Sequence, residues 1–145
     1  MGLPNVSDSS AGNSMADRID EELTLLRTRF PDIEYVTEGH WVRIPTYPLP
    51  GDWSRAATEV AFQIQAGHPG APPYGIYVPI GLLFRGARPN NYTEPANNHP
   101  AFPGTWGVFS WQPDDGQWRP TAELTNGSNL LNWVLGFAAR FREGV

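Results

Sequence analysis

The side chains of this chain that could do chemistry are few and widely spaced. His40, His68 and His99 are its three histidines, and no His-x-x-x-His spacing links any two of them. A metal site would have to be assembled wholly by the fold, because zinc sites usually show a ligand pair at short spacing. No metal or other cofactor is therefore expected. Ser110 could serve as a nucleophile only with a base within hydrogen-bond reach, and His99 is the nearest histidine along the chain. Set beside Trp111, Ser110 also reads as an ordinary strand residue. Asp114-Asp115-Gly116 pairs two carboxylates, but Pro113 before them makes this a solvated turn sequence. Cysteine is absent, which removes thiolate nucleophiles, disulfides and thiolate metal sites. Lysine is absent too: all ten basic residues are arginine. Biased codon usage explains this most simply, although it also leaves no lysine amine for isopeptide chemistry. No phosphate-binding Walker loop, Gly-x-Ser-x-Gly elbow or dinucleotide fingerprint occurs.

The elements that must position these residues follow from periodicity. Ile19, Leu23, Leu26 and Phe30 recur on one face of a helix over Asp17–Phe30. Ser14 caps its start, Asp20, Glu21 and Glu22 suit its positive end, and Pro31 stops it. Ile33–Thr37 and Trp41–Thr46 are short β-prone runs around a hairpin signal at Glu38-Gly39-His40. Tyr47–Ser54 carries Pro48, Pro50 and Gly51 and reads as loop. Thr58–Gln65 alternates Val60, Phe62 and Ile64 against Glu59, Ala61 and Gln63, the pattern of a half-buried strand. Ile76–Val78 is a fourth strand, and Pro79–Pro120 shows no helical period. Asn126-Gly127-Ser128 opens a last helix striped by Leu130, Val134, Phe137, Ala138 and Phe141.

At 145 residues the chain is one domain by size, and 40% hydrophobic content is enough for a core. Residues 1–15, rich in Ser, Gly and Asn, read as a flexible tail before a single domain over residues 16–145. A net charge of −5 argues against nucleic acid or an anionic membrane as partner. No apolar run reaches transmembrane length, and the absence of cysteine leaves a cytoplasmic location as the default. The order of elements predicts an α+β fold: a four-stranded antiparallel meander, helices from both ends on one face, and a long irregular flap.

The run His68-Pro69-Gly70-Ala71-Pro72-Pro73-Tyr74-Gly75-Ile76-Tyr77 resembles the proline signature of the ubiquitin-conjugating-enzyme fold. Gly104-Thr105-Trp106-Gly107-Val108-Phe109-Ser110-Trp111 and Trp118-Arg119-Pro120 are similar to that family's active-site segment and its downstream Trp-x-Pro. Phe30-Pro31-Asp32-Ile33-Glu34 with Trp41-Val42-Arg43-Ile44 resembles a bacterial branch of the superfamily, prokaryotic family E. The likeness spans roughly Leu23 to Phe141. It implies the conjugating fold, with the nucleophilic cysteine falling near Gly107, where there is no side chain. His99-Pro100-Ala101 resembles the family's His-Pro-Asn tripeptide, but Ala101 cannot hydrogen-bond an oxyanion. The partners it implies are a ubiquitin-like protein and an activating-enzyme homologue.

The six tryptophans divide between packing and binding. Trp118 and Trp133 suit the core, while Trp53, Tyr92, Trp106 and Trp111, with Arg85 and Arg88, are candidates for a partner-binding surface. Three functions fit these residues. One is a cysteine-free conjugating-fold subunit that binds and does not catalyse. Another is an acyl- or peptidyl-transfer enzyme using Ser110 or His99. The last is a tryptophan-rich recognition domain for carbohydrate or peptide.

Overall fold

A computed structural model describes residues 14–114 and 116–145. Helix α1 runs over Met15–Arg27, and the Ser14 hydroxyl accepts the Asp17 N–H at 3.1 Å to cap it. Ser14 and Met15 thus belong to the folded domain; the rest of the proposed tail lies outside the described residues. Six strands follow: β1 (Glu34–Val36), β2 (Trp41–Pro48), β3 (Ala57–Gln63), β4 (Ile76–Pro79), β5 (Tyr92–Thr93) and β6 (Trp106–Phe109). After a single 3-10 turn come α2 (Leu130–Leu135) and α3 (Phe137–Arg142).

The strands form one antiparallel sheet in the order β1-β2-β3-β4-β6-β5. The expected four-stranded count is corrected to six. The segment read as an irregular flap returns to the sheet twice, pairing β6 with β4 and β5 with β6. The expected single last helix is likewise two short ones. Asn129, whose side chain accepts the Asn132 N–H at 2.9 Å, caps the first, and the two meet at Gly136.

Alternation along the strands divides the core in two. Val42, Ile44, Val60, Phe62, Ile76, Val78 and Phe109 face the helices, meeting Ile19, Leu23 and Leu26 of α1 and Leu130, Val134, Phe137 and Phe141. Trp41, Ala61, Tyr77 and Trp106 point to the opposite face, where Phe102 from the β5–β6 connection covers them. Asn98 fastens that connection, its amide donating to Gln63 Oε1 at 2.9 Å. Ala61 is therefore buried, although its place in the alternating pattern is on the polar side.

Tyr47 and Pro48, expected in a loop, belong to β2, past an irregularity between Ile44 and Tyr47. Tyr47 packs at ring distances of 5.8 Å from Phe30, Phe137 and Phe141, and its hydroxyl donates to the Val134 carbonyl at 2.9 Å. Burying these rings outweighs the local turn preference of the flanking prolines. Burial also pushes the Tyr47 phenol from its ordinary 10 up to about 12. A phenol that ionises later in the folded chain stabilises it fully below pH 10, and the contribution is lost as pH rises through about 12. Tyr47→Phe should cost about 1 kcal/mol at neutral pH by urea unfolding, the usual net worth of one hydrogen bond. It should also flatten the alkaline loss of stability between pH 10 and 12.

Candidate functional site

Gly107 lies on β6 opposite Val78 of β4. The neighbouring strand β5 delivers Tyr92, whose ring sits 4.8 Å from that of Phe109 and lies against the face of Gly107. A Cβ at position 107 would stand 2.6 Å from Tyr92 Cζ and 2.7 Å from Cε1. Hydrogen bonding fixes the ring: the Tyr92 hydroxyl donates to Glu94 Oε2 at 2.7 Å, and the same carboxylate oxygen accepts the Gly81 N–H at 3.2 Å. The Tyr92 hydroxyl holds the Glu94 carboxyl below its ordinary range against the opposing effect of desolvation. Burial first, and then the Glu94 carboxylate, raise the Tyr92 phenol. The place where the resemblance sets a nucleophile is thus filled by a neighbour's aromatic ring.

His99 is exposed, with Nδ1 2.6 Å from the Pro100 carbonyl and Nε2 3.0 Å from the Gly104 carbonyl. Both ring nitrogens are occupied by the backbone of their own loop. Ser110 is exposed at the end of β6, and its N–H donates to the Asn91 carbonyl at 2.8 Å. Among the described residues no hydrogen bond joins the two side chains. Ala101 is exposed in the same loop as His99.

Of the residues expected on a binding surface, Trp53, Tyr92 and Trp106 are core. Trp53 is 6% exposed, packs tilted against Phe84 and edge-to-face against Phe109 and Phe141, and donates its indole N–H to the Phe141 carbonyl at 2.7 Å. Trp106 fills the second face, its indole N–H 3.3 Å from the Phe102 and Pro103 carbonyls. Large rings at loop and flap edges are buried because the segments around them fold back onto the sheet. Arg85 and Arg88 are exposed: Arg85 pairs with Asp52 at 3.1 Å, and Arg88 donates to the Tyr92 carbonyl at 3.2 Å.

Trp111 is half-exposed. It lies nearly parallel to Trp133 at 5.1 Å, with the Arg140 guanidinium 5.7 Å from its ring centre. Together with Pro113, Gln117, Trp118 and Asn132, these two indoles line an open slot of about 190 Å³. Trp118 is only partly buried; its indole N–H donates to the Pro69 carbonyl at 2.7 Å and so anchors the proline segment. The Trp133 indole N–H is buried and has no partner among the described residues.

A second polar cluster escaped the sequence reading. Glu22, on α1, is fully buried, although the sequence set it with Asp20 and Glu21 as an acid suited to the helix's positive end. Its Oε2 accepts from Arg18 Nε at 2.8 Å and His68 Nε2 at 2.5 Å, and its Oε1 accepts the Leu130 N–H at 2.6 Å. Arg18 Nη1 reaches on to the Thr121 carbonyl at 2.6 Å. The signal was present: Glu22 lies three residues after Ile19 and four before Leu26, inside the apolar stripe. Burial raises its carboxyl, but the hydrogen bonds from His68 and Arg18, the His68 charge and the Leu130 N–H together hold it below its ordinary value.

Among the described residues no group of three or more His, Asp or Glu side chains could hold a metal ion, and no helix is long and apolar enough to cross a membrane. Compared with known proteins, the chain matches no protein-family model, no curated protein and no solved structure.

Two stability measurements test this geometry. Gly107→Ala should destabilise by about 1–3 kcal/mol in urea melts, as overpacking does, and by less in a Tyr92→Ala background, because the two sites couple. Glu22→Ala should cost roughly 3–5 kcal/mol by leaving buried partners unmatched. Glu22 stabilises the fold above its ordinary pKa of 4.5, a contribution lost as pH falls through the lower folded value. Glu22→Gln should therefore flatten the acid limb of the stability profile below pH 4.5.

Proposed function

We propose that this chain is a cysteine-free subunit of the ubiquitin-conjugating fold, which binds a ubiquitin-like protein or its activating enzyme and forms no thioester. The observation that carries this reading is the packing of Tyr92 on Gly107. A pocket emptied by loss of one side chain would leave room for it; here the neighbouring strand occupies that room. The order of helix, antiparallel strands, proline segment and closing helices supports the fold assignment. Ala101, where the resemblance places the oxyanion-supporting asparagine, supports binding over catalysis. Trp111 and the exposed Arg85 and Arg88 are the binding side chains in this reading, since aromatic and arginine residues dominate interface energetics.

The slot between Trp111, Trp118 and Trp133 favours one alternative, an aromatic recognition surface for an extended peptide or a carbohydrate. Both are tested by incubating the chain with activating enzyme, ATP and a ubiquitin-like protein encoded beside it. A non-covalent complex weakened by Trp111→Ala, with no covalent adduct, is the expected result. A covalent adduct that survives thiol reductant and disappears in Ser110→Ala would overturn it in favour of transfer chemistry. If no complex forms at all, the recognition-domain reading takes its place.

A further inference from the structure

Two open hollows of about 190 Å³ each adjoin at Pro113 and Trp118, which line both. One adds Gly70 and Pro72 of the proline segment with Gln112 and Asp114; the other is the slot of Trp111, Trp133, Gln117 and Asn132. Their walls are fixed in advance. Trp111 stacks on Trp133, its carbonyl accepts the Gly75 N–H at 2.8 Å, and the Trp118 indole N–H holds the Pro69 carbonyl at 2.7 Å. Amide groups border these rings. Gln117 Oε1 accepts the Asp114 N–H at 3.1 Å, and neither the Gln117 NH2 group nor the exposed Asn132 amide has a partner among the described residues. Of the residues lining the two hollows, Asp114 alone is charged. Its side chain is exposed and makes no ion pair among the described residues.

We infer that this double hollow docks a proline-rich peptide in the polyproline II conformation, with a basic residue at the end that meets Asp114. The inference rests on the aromatic-recognition reading of the slot and is independent of the conjugating fold. A polyproline II helix turns once in three residues and bonds none of its own carbonyls. It therefore presents apolar rings for the indoles and bare acceptors for the Gln117 and Asn132 amides. Such a ligand is ordered before it binds, which is why aromatic-lined grooves select it. The chain carries its own example, since the proline segment is already seated on Trp118 beside both hollows. Charge fixes the basic end. Arg119 donates to the Gly116 carbonyl at 2.5 Å and Arg140 pairs with Glu143 at 2.6 Å, so neither arginine neutralises Asp114 by a direct pair. A cation on the ligand supplies that partner.

The test is titration of the intact chain at neutral pH and low salt, followed by tryptophan fluorescence and calorimetry. The probes are hexaproline peptides with one arginine at either end, their glutamate counterparts, a proline-free peptide of equal length and charge, and cellohexaose. Saturable binding of an arginine-tagged hexaproline is expected, about fivefold tighter than its glutamate counterpart, the weight of one exposed ion pair. The proline-free peptide should not saturate. Trp111→Ala should weaken binding at least about tenfold, as loss of an aromatic anchor does. Asp114→Arg, an exposed change that leaves the urea midpoint where it was, should reverse the preference between arginine and glutamate tags. That reversal separates loss of the site from loss of the fold. Absence of saturable hexaproline binding, equal binding of the proline-free peptide, or an unchanged tag preference in the folded Asp114→Arg chain would overturn the assignment. Binding of cellohexaose alone would also overturn it, while keeping the slot as a recognition surface. Because activating enzyme and ubiquitin-like protein are left out, neither outcome bears on the conjugating-fold reading.

Discussion

A carboxylate shut away from water must be matched donor for donor, and at Glu22 those donors come from three distant stretches of chain. Arg18 belongs to the same helix, His68 opens the proline segment, and the Leu130 N–H is the first of the closing helix. Arg18 extends the network to the Thr121 carbonyl on the approach to that helix. The apolar contacts between α1, the sheet and the last two helices are plastic by comparison, since a core tolerates small slides among similar side chains. The carboxylate does not: a displaced helix would strand a buried charge. Glu22 thus sets the registration of the first helix, the proline turn and the closing helices.

The two faces of the sheet answer different demands. The helix-side face is built from large aliphatic and aromatic residues against the first and the closing helices, as the strand and helix periods require. The other face would expose Trp41, Tyr77 and Trp106 were it not for the connection that carries Phe102 and Asn98 across it. That long connection also carries His99 and Ala101. Here it is used for cover, and the ring on Gly107 closes the remaining space.

Much of the fold was legible because it depends on local period. The stripe Ile19-Leu23-Leu26, the cap at Ser14 and the alternation of Val60, Phe62 and Ile64 each appear as expected. What could not be read depends on pairing between distant segments. β5 is only Tyr92–Thr93, too short to show any alternation, and β6 carries a glycine in its interior. Tyr47 lies between Pro45 and Pro48, and only the distant rings of Phe137 and Phe141 show why it stays in the strand. Of the candidate side chains, the histidine–serine pair and the aromatic surface were named from type and neighbourhood. Trp53 and Trp106 proved to be core, while Arg18, Glu22 and His68, the last 46 residues beyond Glu22, gave no pattern beyond one acid in an apolar stripe.

The sheet is bounded on one side by β1, three residues long, and on the other by β5, two residues long. Edges this short offer almost no row of free backbone donors and acceptors, which protects against strand-to-strand polymerisation. The same brevity restricts how anything can attach to this molecule. Adding a strand to the sheet, the usual way an extended peptide gains backbone hydrogen bonds from a host, has hardly any template here. Whatever recognises this chain must read its side chains and the shape of its loops.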